Sequence, residues 1–456
     1  MSVYQRVFAS VLYPAYESGL RKRRTLSYLK EYMGQQWLSA DALTALQTAK
    51  LRALLAHCQT NVPYWRRRFG ELGFSWQDLR SPADMAALPV MTKDEIRANY
   101  DALIADDLRG TTMRKTTGGS TGQPFSFEYT RESYERRMAV MLRGYGWAGA
   151  DFGVKRLDVW GTDLGLPSRL ARFKTSLFDA VLRRKVLSSF AMRRDNLRDY
   201  VDAIDAFRPQ VIVGYTSALE VLADSILDGL PLRWRPGSVI TAAEMLSDAQ
   251  RARIERAFGA PVFHTYGCRE FMLIGAECEH HTGYHASDDH LLVEVADDAG
   301  RPVADGVGNV VITDLHNWGM PFLRYANGDL ARSRAGSAAC PCGRGLRLFG
   351  PVEGRRLDVI RTPDGRILPG EFFPHLMKEV PSVDRFQVRQ TAIDRLRILI
   401  VPRGEFTAAQ EAFLRDHVGR ATGPAVRIDI DCVDDIPLTP SGKRRVTVSE
   451  LAVTQP

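Results

Sequence analysis

Thr116-Thr117-Gly118-Gly119-Ser120-Thr121-Gly122-Gln123-Pro124 is the stretch on which the reading of this chain turns. Glycines alternate with hydroxyl side chains, and a proline closes the run. Glycine lets backbone approach a bulky anion, and successive N–H groups in such a turn form a concavity for phosphate oxygens. The Thr and Ser hydroxyls add further donors. No lysine follows the last glycine, so this is not the common G-x-x-x-x-G-K-[ST] loop. A Gly/Ser/Thr-rich surface turn has the same composition. What gives the run weight is the sequence around it.

With 456 residues the chain is long enough for two or three domains with large cores. Hydrophobic residues make up 45% and charged residues 25%, the balance of a soluble globular protein. No run of about 18 apolar residues is present, so no transmembrane segment is expected. The stretch 1–24 ends in a basic cluster and lacks the apolar core and cleavage site of a secretory signal. Six cysteines in this length do not make a disulfide scaffold, and a cytoplasmic protein is expected. The formal charge of +7 suits an anionic small molecule. Basic clusters at Arg21–Arg24, Arg66–Arg68 and Arg183–Lys185 read as solvated helix faces or as attraction to a polyanion or membrane surface. Neither aromatic-interleaved basic stripes nor zinc-finger spacing is present, so no nucleic acid partner is expected.

Residues 25–110 read as mostly helical, with Leu43, Leu46, Leu51, Leu54 and Leu55 at helical spacing. Thr92 is the expected N-cap of a helix, with Glu95 as its capping-box partner. From about residue 150, short apolar runs alternate with amphipathic stretches. Strands are predicted at Arg156–Trp160, Gln210–Val213, Ser238–Thr241 and Pro261–His264, and helices at 203–207, 218–227 and 247–258. That alternation implies a parallel or mixed sheet covered by helices. Residues 291–331 are richer in strand. After Gly354 the chain begins again, and about 100 residues mix strands and helices as a small α+β domain would. The expected fold is therefore α/β: a large N-terminal domain of helix-covered mixed β-sheets with a β-rich subdomain, then a small C-terminal α+β domain.

Four further motifs follow in order: Tyr266-Gly267-Cys268-Arg269-Glu270, Tyr325-Ala326-Asn327-Gly328-Asp329, Gly354-Arg355-Arg356-Leu357-Asp358 and Thr439-Pro440-Ser441-Gly442-Lys443. With the glycine run, this ordered set resembles the adenylate-forming superfamily of acyl-CoA synthetases, aryl-CoA ligases and adenylation domains. Asn61-Val62-Pro63-Tyr64 and Leu88-Pro89-Val90-Met91-Thr92-Lys93 narrow the resemblance to the phenylacetate–CoA ligase branch, and within it to capsular-polysaccharide-associated enzymes. The resemblance implies residues 1–110 as the mostly helical part of the large domain, 111–354 as its ATP- and acyl-binding core, and 355–456 as a small mobile domain carrying the catalytic lysine.

It also implies the chemistry. A carboxylate attacks the α-phosphate of ATP, giving an acyl-adenylate and pyrophosphate, and coenzyme A then takes the acyl group as a thioester. Transfer to an amine or a carrier-protein thiol is the alternative second step, and an inactive nucleotide-binding regulatory protein is the rival from another class. Thr117, Gly118, Gly119, Ser120, Thr121 and Gly122 would hold the phosphates. Ala243 and Glu244 would border the adenine, with Tyr266 and Gly267 beside the nucleotide. Asp329 would accept hydrogen bonds from the ribose, next to Arg355. Glu270 would ligate Mg²⁺, and Lys443 would bridge carboxylate and α-phosphate as charge builds there. Two positions depart from the family pattern: Gln123 where lysine is usual in the phosphate loop, and Leu357 in the hinge.

A structural zinc site is expected as well. Cys278, Cys340 and Cys342 offer three sulfurs, and one imidazole would complete a closed tetrahedral set. The match to the branch selects His285, with His280 or His281 as alternatives. Trp160, Tyr215, Thr216, Tyr266 and Phe271 are candidate walls of the acyl pocket, by position beside strand ends; core packing explains the same aromatics. A small-molecule carboxylic acid, ATP and CoA are the expected partners, and a homodimer remains open.

Overall fold

The structure is a computed structural model that describes residues 3–117, 125–160, 178–189, 192, 196–334, 339–355, 360–364, 367–368, 372–377, 379–380, 382–436 and 447–451. Gly118 to Gly122, Gln123, Leu357 and Lys443 lie outside the described residues, as do the side chains of Thr117 and Arg355. The chain divides into two compact units. The first comprises Met1–Gly306, Val311–Asn327 and Ser333–Pro351; the second comprises Val307–Val310, Gly328–Arg332 and Val352–Pro456.

In the first unit, β1 (Met113–Thr117) and β2 (Phe125–Tyr129) pair antiparallel, with Thr117 opposite Phe125. The glycine run is thus the connection of a hairpin. Seven further strands follow: β3 (Arg156–Trp160), β4 (Arg184–Ser188), β5 (Val211–Tyr215), β6 (Ser238–Ala242), β7 (Val262–Tyr266), β8 (Gly275–Glu277) and β9 (Tyr284–Ala286). β10 (Leu291–Ala296) comes next, then β11 (Asp305–Asp314) and β12 (Tyr325–Arg334), of which Val307–Val310 and Gly328–Arg332 belong to the second unit, and then β13 (Leu348–Phe349). Strands β3 to β9 join β13 in an eight-stranded mixed sheet of order β13-β9-β8-β7-β6-β5-β3-β4. Its β4-to-β7 half is parallel, and β8, β9 and β13 are antiparallel additions.

The parallel half forms because its strands are apolar on both faces. Every residue of Val-Ile-Val-Gly-Tyr, Ser-Val-Ile-Thr-Ala and Val-Phe-His-Thr-Tyr in β5, β6 and β7 is buried. Ile212, Val239 and Val262 pack with Ile204, Leu219, Leu222, Ile254 and Phe258 of helices Leu197–Phe207, Thr216–Leu227 and Asp248–Phe258. Their chain neighbours Val211, Val213, Ile240 and Phe263 point to the opposite face, toward Ala148 and Ala150.

In the second unit, β14 (Val352–Arg355) pairs antiparallel with β12, with Arg355 opposite Asp329. β15 (Ile360–Arg361) and β16 (Ile367–Leu368) make a short hairpin. β17 (Val383–Ala392), β18 (Arg395–Pro402), β19 (Arg427–Cys432) and β20 (Thr447–Ser449) form a sheet of order β19-β18-β17-β20. Leu396, Ile398 and Ile400 of β18 alternate inward, onto Leu414 and Val418 of helix Ala408–Thr422. The intervening Arg395 and Arg397 face out and donate to Asp429 and Asp431 of the neighbouring strand at 2.9 and 2.6 Å.

Two local readings are refined. Thr92 caps helix Lys93–Ala98 by accepting from the Glu95 N–H at 3.2 Å. The Glu95 carboxylate takes the Tyr64 hydroxyl, so the side chain expected to close the capping box links two helices. The helix predicted over 203–207 begins at Leu197.

Candidate active site at the carboxyl ends of the parallel strands

Four neighbouring parallel strands, β3, β5, β6 and β7, end on the same edge of the sheet. In open α/β sheets, ligands bind outside the carboxyl ends of the strands. Trp160 is the last residue of β3, and Tyr215 the last of β5. Their rings lie 4.4 Å apart at 40°. Thr216 starts the following helix, and its hydroxyl donates to the Glu244 carbonyl at 3.2 Å. That bond ties the turn after β5 to the turn after β6, where Ala243 holds φ 67°. Left-handed backbone at a non-glycine residue is uncommon and marks a constrained turn.

Tyr266 ends β7 and begins the tight loop to β8. A Cβ at Gly267 would sit 1.9 Å from the Met272 carbonyl oxygen, so only glycine fits there. The loop is closed by Met272 N–H to the Cys268 carbonyl at 2.7 Å and Ile274 N–H to the Tyr266 carbonyl at 2.9 Å. Glu270, 5% exposed, stands on this loop and accepts the Tyr325 hydroxyl at 3.0 Å. Asn327 donates to the Tyr266 hydroxyl at 2.7 Å. The Tyr266-to-Glu270 motif is therefore fastened to the start of β12 by two side chains. Phe271 is fully buried, with its ring 6.3 Å from Phe322 and 5.8 Å from Tyr325, and forms the back of the loop.

The Tyr325 anchor is itself held. Met91 N–H donates to the Arg324 carbonyl at 2.9 Å, and Ala326 N–H to the Met91 carbonyl at 3.0 Å. Arg324 is buried, with its guanidinium on the Gly300 carbonyl at 2.6 Å and paired to Glu294 at 3.1 Å. The segment Leu88 to Lys93 thus braces Tyr325 and, through it, Glu270. In the second unit, Asp329 of β12 is 6% exposed.

The cysteines assemble beside β8, β9 and β13. The donor atoms of Cys278, His285, Cys340 and Cys342 all lie within 4.8 Å of one another. Cys278 follows β8, His285 is central in β9, and Leu348 of β13 pairs opposite His285. Cys340 and Cys342 sit on a turn closed by Gly343 N–H to the Cys340 carbonyl at 3.0 Å. His285 Nδ1 must donate to the Leu346 carbonyl at 2.9 Å, which leaves the Nε2 lone pair directed at Cys342 Sγ, 3.3 Å away. Burial holds the His285 imidazole below its ordinary pKa, and hence neutral. Burial pushes the Cys278 thiol up to about 12. At Cys340, contacts with the Thr282 hydroxyl and Cys342 outweigh burial and lower it. Three sulfurs and one neutral imidazole with its second nitrogen already engaged are the donor set of a structural zinc site, and these residues fit that ion. His281, one of the alternatives, is engaged by Glu277 at 3.3 Å.

Comparison with known proteins bears on this geometry. The chain is 27% identical over 408 residues to a phenylacetate-coenzyme A ligase of Thermus thermophilus, covering 84% of this chain and 87% of that protein. It is 22% identical over 440 residues to the protein CapK of Staphylococcus aureus, covering 95% and 94%. Residues 360–450 match the CapK C-terminal domain family. The chain is thus similar along most of its length to phenylacetate–CoA ligases and to CapK. A crystal structure of 2-hydroxyisobutyryl-CoA ligase in its postadenylation state superposes with a TM-score of 0.71 at 19% identity, covering 91% of each chain, which gives the fold.

The surroundings of Glu270 and Tyr266 include residues that the motifs alone do not pair with them. Tyr325 and Asn327 lie inside a recognised motif, but their partners Glu270 and Tyr266 are 55 and 61 residues away. Lys115, on β1 just before the glycine run, has its pKa lowered by burial and by Arg269 and Arg137, against the opposing pull of Glu270. A Lys on a β-hairpin carries no sequence signature, and only the fold sets it near that acid.

Proposed function

We propose that this protein is an AMP-forming carboxylate–CoA ligase. What supports the reading is the buried Glu270 loop at the carboxyl ends of the parallel strands, held by Tyr325, in a chain related along most of its length to phenylacetate-coenzyme A ligases. In this reading the hairpin loop 118–122 receives the ATP phosphates. Glu270 would hold magnesium, which would offset phosphate charge when bound. Ala243 and Glu244 border the base, and Asp329 and Arg355 take the ribose. Lys443 comes in on the small domain, 355–456, to neutralise charge between carboxylate and α-phosphate; a compact ammonium suits that task. Trp160 and Tyr215 offer an aromatic wall to the acid. ATP and CoA place the enzyme's work in the cytoplasm. Cys278, His285, Cys340 and Cys342 would hold one structural zinc, fixing the β8–β9–β13 corner; elemental analysis should return one equivalent, lost in Cys278→Ser.

The test has two stages. Carboxylate-dependent ATP–pyrophosphate exchange over a panel of aryl, fatty and hydroxy acids should identify the acid, and should collapse in Lys443→Ala. Thioester formation with free CoA then tests the second half-reaction. A second reading, transfer of the adenylated acid to an amine or a carrier-protein thiol, draws on the match of residues 360–450 to the CapK C-terminal domain. Exchange without any acceleration by CoA would select it.

A further inference from the structure

The N-terminal helical run carries apolar side chains on its outer side as well as on its inner one. Residues 3–20 are helical throughout, as α-helix Val3–Val7, π-turns Phe8–Leu12 and Ala15–Leu20, and α-helical residues between them. The inner side is fixed by Gln5 and Phe8. Gly153 comes so close that a Cβ there would lie 3.2 Å from the Gln5 Cα, and the Tyr13 ring packs 4.7 Å from Phe152. The outer side carries valines at every fourth position: Val3 is 79% exposed, Val7 44% and Val11 57%. Leu12 and Leu20 are 44% and 74% exposed. Aliphatic side chains repeated along one outward helix face have no folding role there, and contiguous apolar surface of this kind marks an interaction site.

Charge surrounds this face. Residues 3–24 contain five basic side chains, Arg6, Arg21, Lys22, Arg23 and Arg24, against one acid, Glu17. Glu17 is buried and already paired with Arg23 at 3.5 Å. The turn that ends the run has Lys22 at φ 51°, and Arg131 holds it through the carbonyls of Arg21 and Lys22 at 2.7 and 2.8 Å. The Arg21 and Lys22 side chains are left exposed. A second basic cluster, remote in sequence, joins the first. The Tyr4 hydroxyl donates to the Val181 carbonyl at 2.5 Å, Arg183 lies 5.0 Å over the Tyr4 ring, and the Tyr16 ring packs 5.5 Å from Phe178. Phe178 and Val181 are themselves exposed. Leu20 and Met113 then meet Arg21, Arg23 and Arg131 around an open hollow of about 530 Å³.

We propose that this face seats the enzyme on an anionic phospholipid bilayer, with the valine row in the interfacial zone and the flanking arginines and lysine on the headgroups. An interfacial helix needs an apolar face, a basic border and modest overall hydrophobicity, and it lies in the plane of the membrane. No described helix is long and apolar enough to cross one. The border of basic side chains selects a negatively charged lipid surface over a neutral one. The reading extends beyond adenylation and does not depend on the acid used.

Vesicle flotation tests it. Full-length protein should float with vesicles of phosphatidylglycerol and phosphatidylcholine and stay behind with phosphatidylcholine alone. Arg21→Gln with Lys22→Gln should lower the partition coefficient about 25-fold, from the usual headgroup attraction per basic residue. Val7→Ser with Val11→Ser should lower it about tenfold through lost apolar insertion. In Val11→Trp, indole fluorescence should be quenched by lipids brominated on the acyl chain, a readout that needs no weakened variant. Equal partition of all variants, or an unquenched tryptophan on bound vesicles, would overturn the proposal. So would absence of flotation with concentration-dependent dimerisation that Val11→Ser abolishes, which would make the face a contact between copies.

Discussion

Asp289 and Glu270 are both buried acids of the first unit, and they are held in opposite ways. Asp289 is fully buried and receives both guanidinium nitrogens of Arg143, one of them at 3.0 Å; Arg143 also donates to the Tyr32 carbonyl at 3.2 Å. Both Asp289 carboxylate oxygens are engaged inside the fold. Glu270 accepts a neutral hydroxyl from Tyr325 and rests on a loop whose shape is set by Gly267. A carboxylate given a bidentate arginine is part of the scaffold. One positioned by a tyrosine keeps acceptor capacity for a cation brought by a substrate.

The sharpest way to break this contrast is to neutralise each acid. Asp289→Asn should cost about 3–5 kcal/mol of unfolding free energy in urea, because it strands a buried guanidinium. Pyrophosphate exchange per folded molecule should stay unchanged. Glu270→Gln should do the reverse, lowering exchange about 10²–10³-fold with an unmoved urea midpoint. If Glu270→Gln unfolds the protein and Asp289→Asn silences exchange, the two roles have been assigned backwards.

Histidines sharpen the same contrast through pH. Burial lowers the His264 pKa from 6.5 to about 4, opposed in part by Glu277, while its Nδ1 meets the Thr241 hydroxyl at 2.7 Å. The unfolded state then binds more protons between these values. His264 therefore contributes stability that is fully present above pH 6.5 and lost as pH falls toward 4. The loss should amount to about 3 kcal/mol, reduced in His264→Gln. His290 and His316, stacked 5.4 Å apart, shift the same way through burial and neighbouring cations. Acid unfolding should therefore follow these histidines. The smallest effect is expected for Tyr325→Phe. Loss of one hydrogen bond of about 1 kcal/mol should slow exchange about fivefold. Exchange in Tyr325→Phe equal to the parent would remove the hydroxyl from the positioning of Glu270.

The parallel half of the sheet was legible because its strands are short apolar runs bounded by helical periodicity, and β3 runs over Arg156–Trp160 as predicted. Strand β4 was not. Its Arg-Lys-Val-Leu-Ser sequence looks like a basic surface cluster, and it lies at the sheet edge, where alternation with polar residues is tolerated. The run at 3–20 fell within the stretch expected to be mostly helical, but its outward row of Val3, Val7 and Val11 carries no periodic signal that separates it from a buried face. The site was read as motifs, yet the bonds that assemble it join residues more than 50 positions apart. Motif spacing names the participants and already groups Cys278 and His285 with Cys340 and Cys342, whereas only the fold pairs Tyr325 with Glu270 and Asn327 with Tyr266.

The carboxyl-end arrangement couples the rim of the sheet to its interior. Trp160, Tyr215 and the turn at Ala243 ride on separate strands, yet Tyr215 is part of the core between sheet and helices, and Trp160 and Ala243 pack against it. A change of size at any of these rim positions is therefore felt by the helices behind the sheet. Reshaping this edge would call for compensating changes in the helices as well as on the rim.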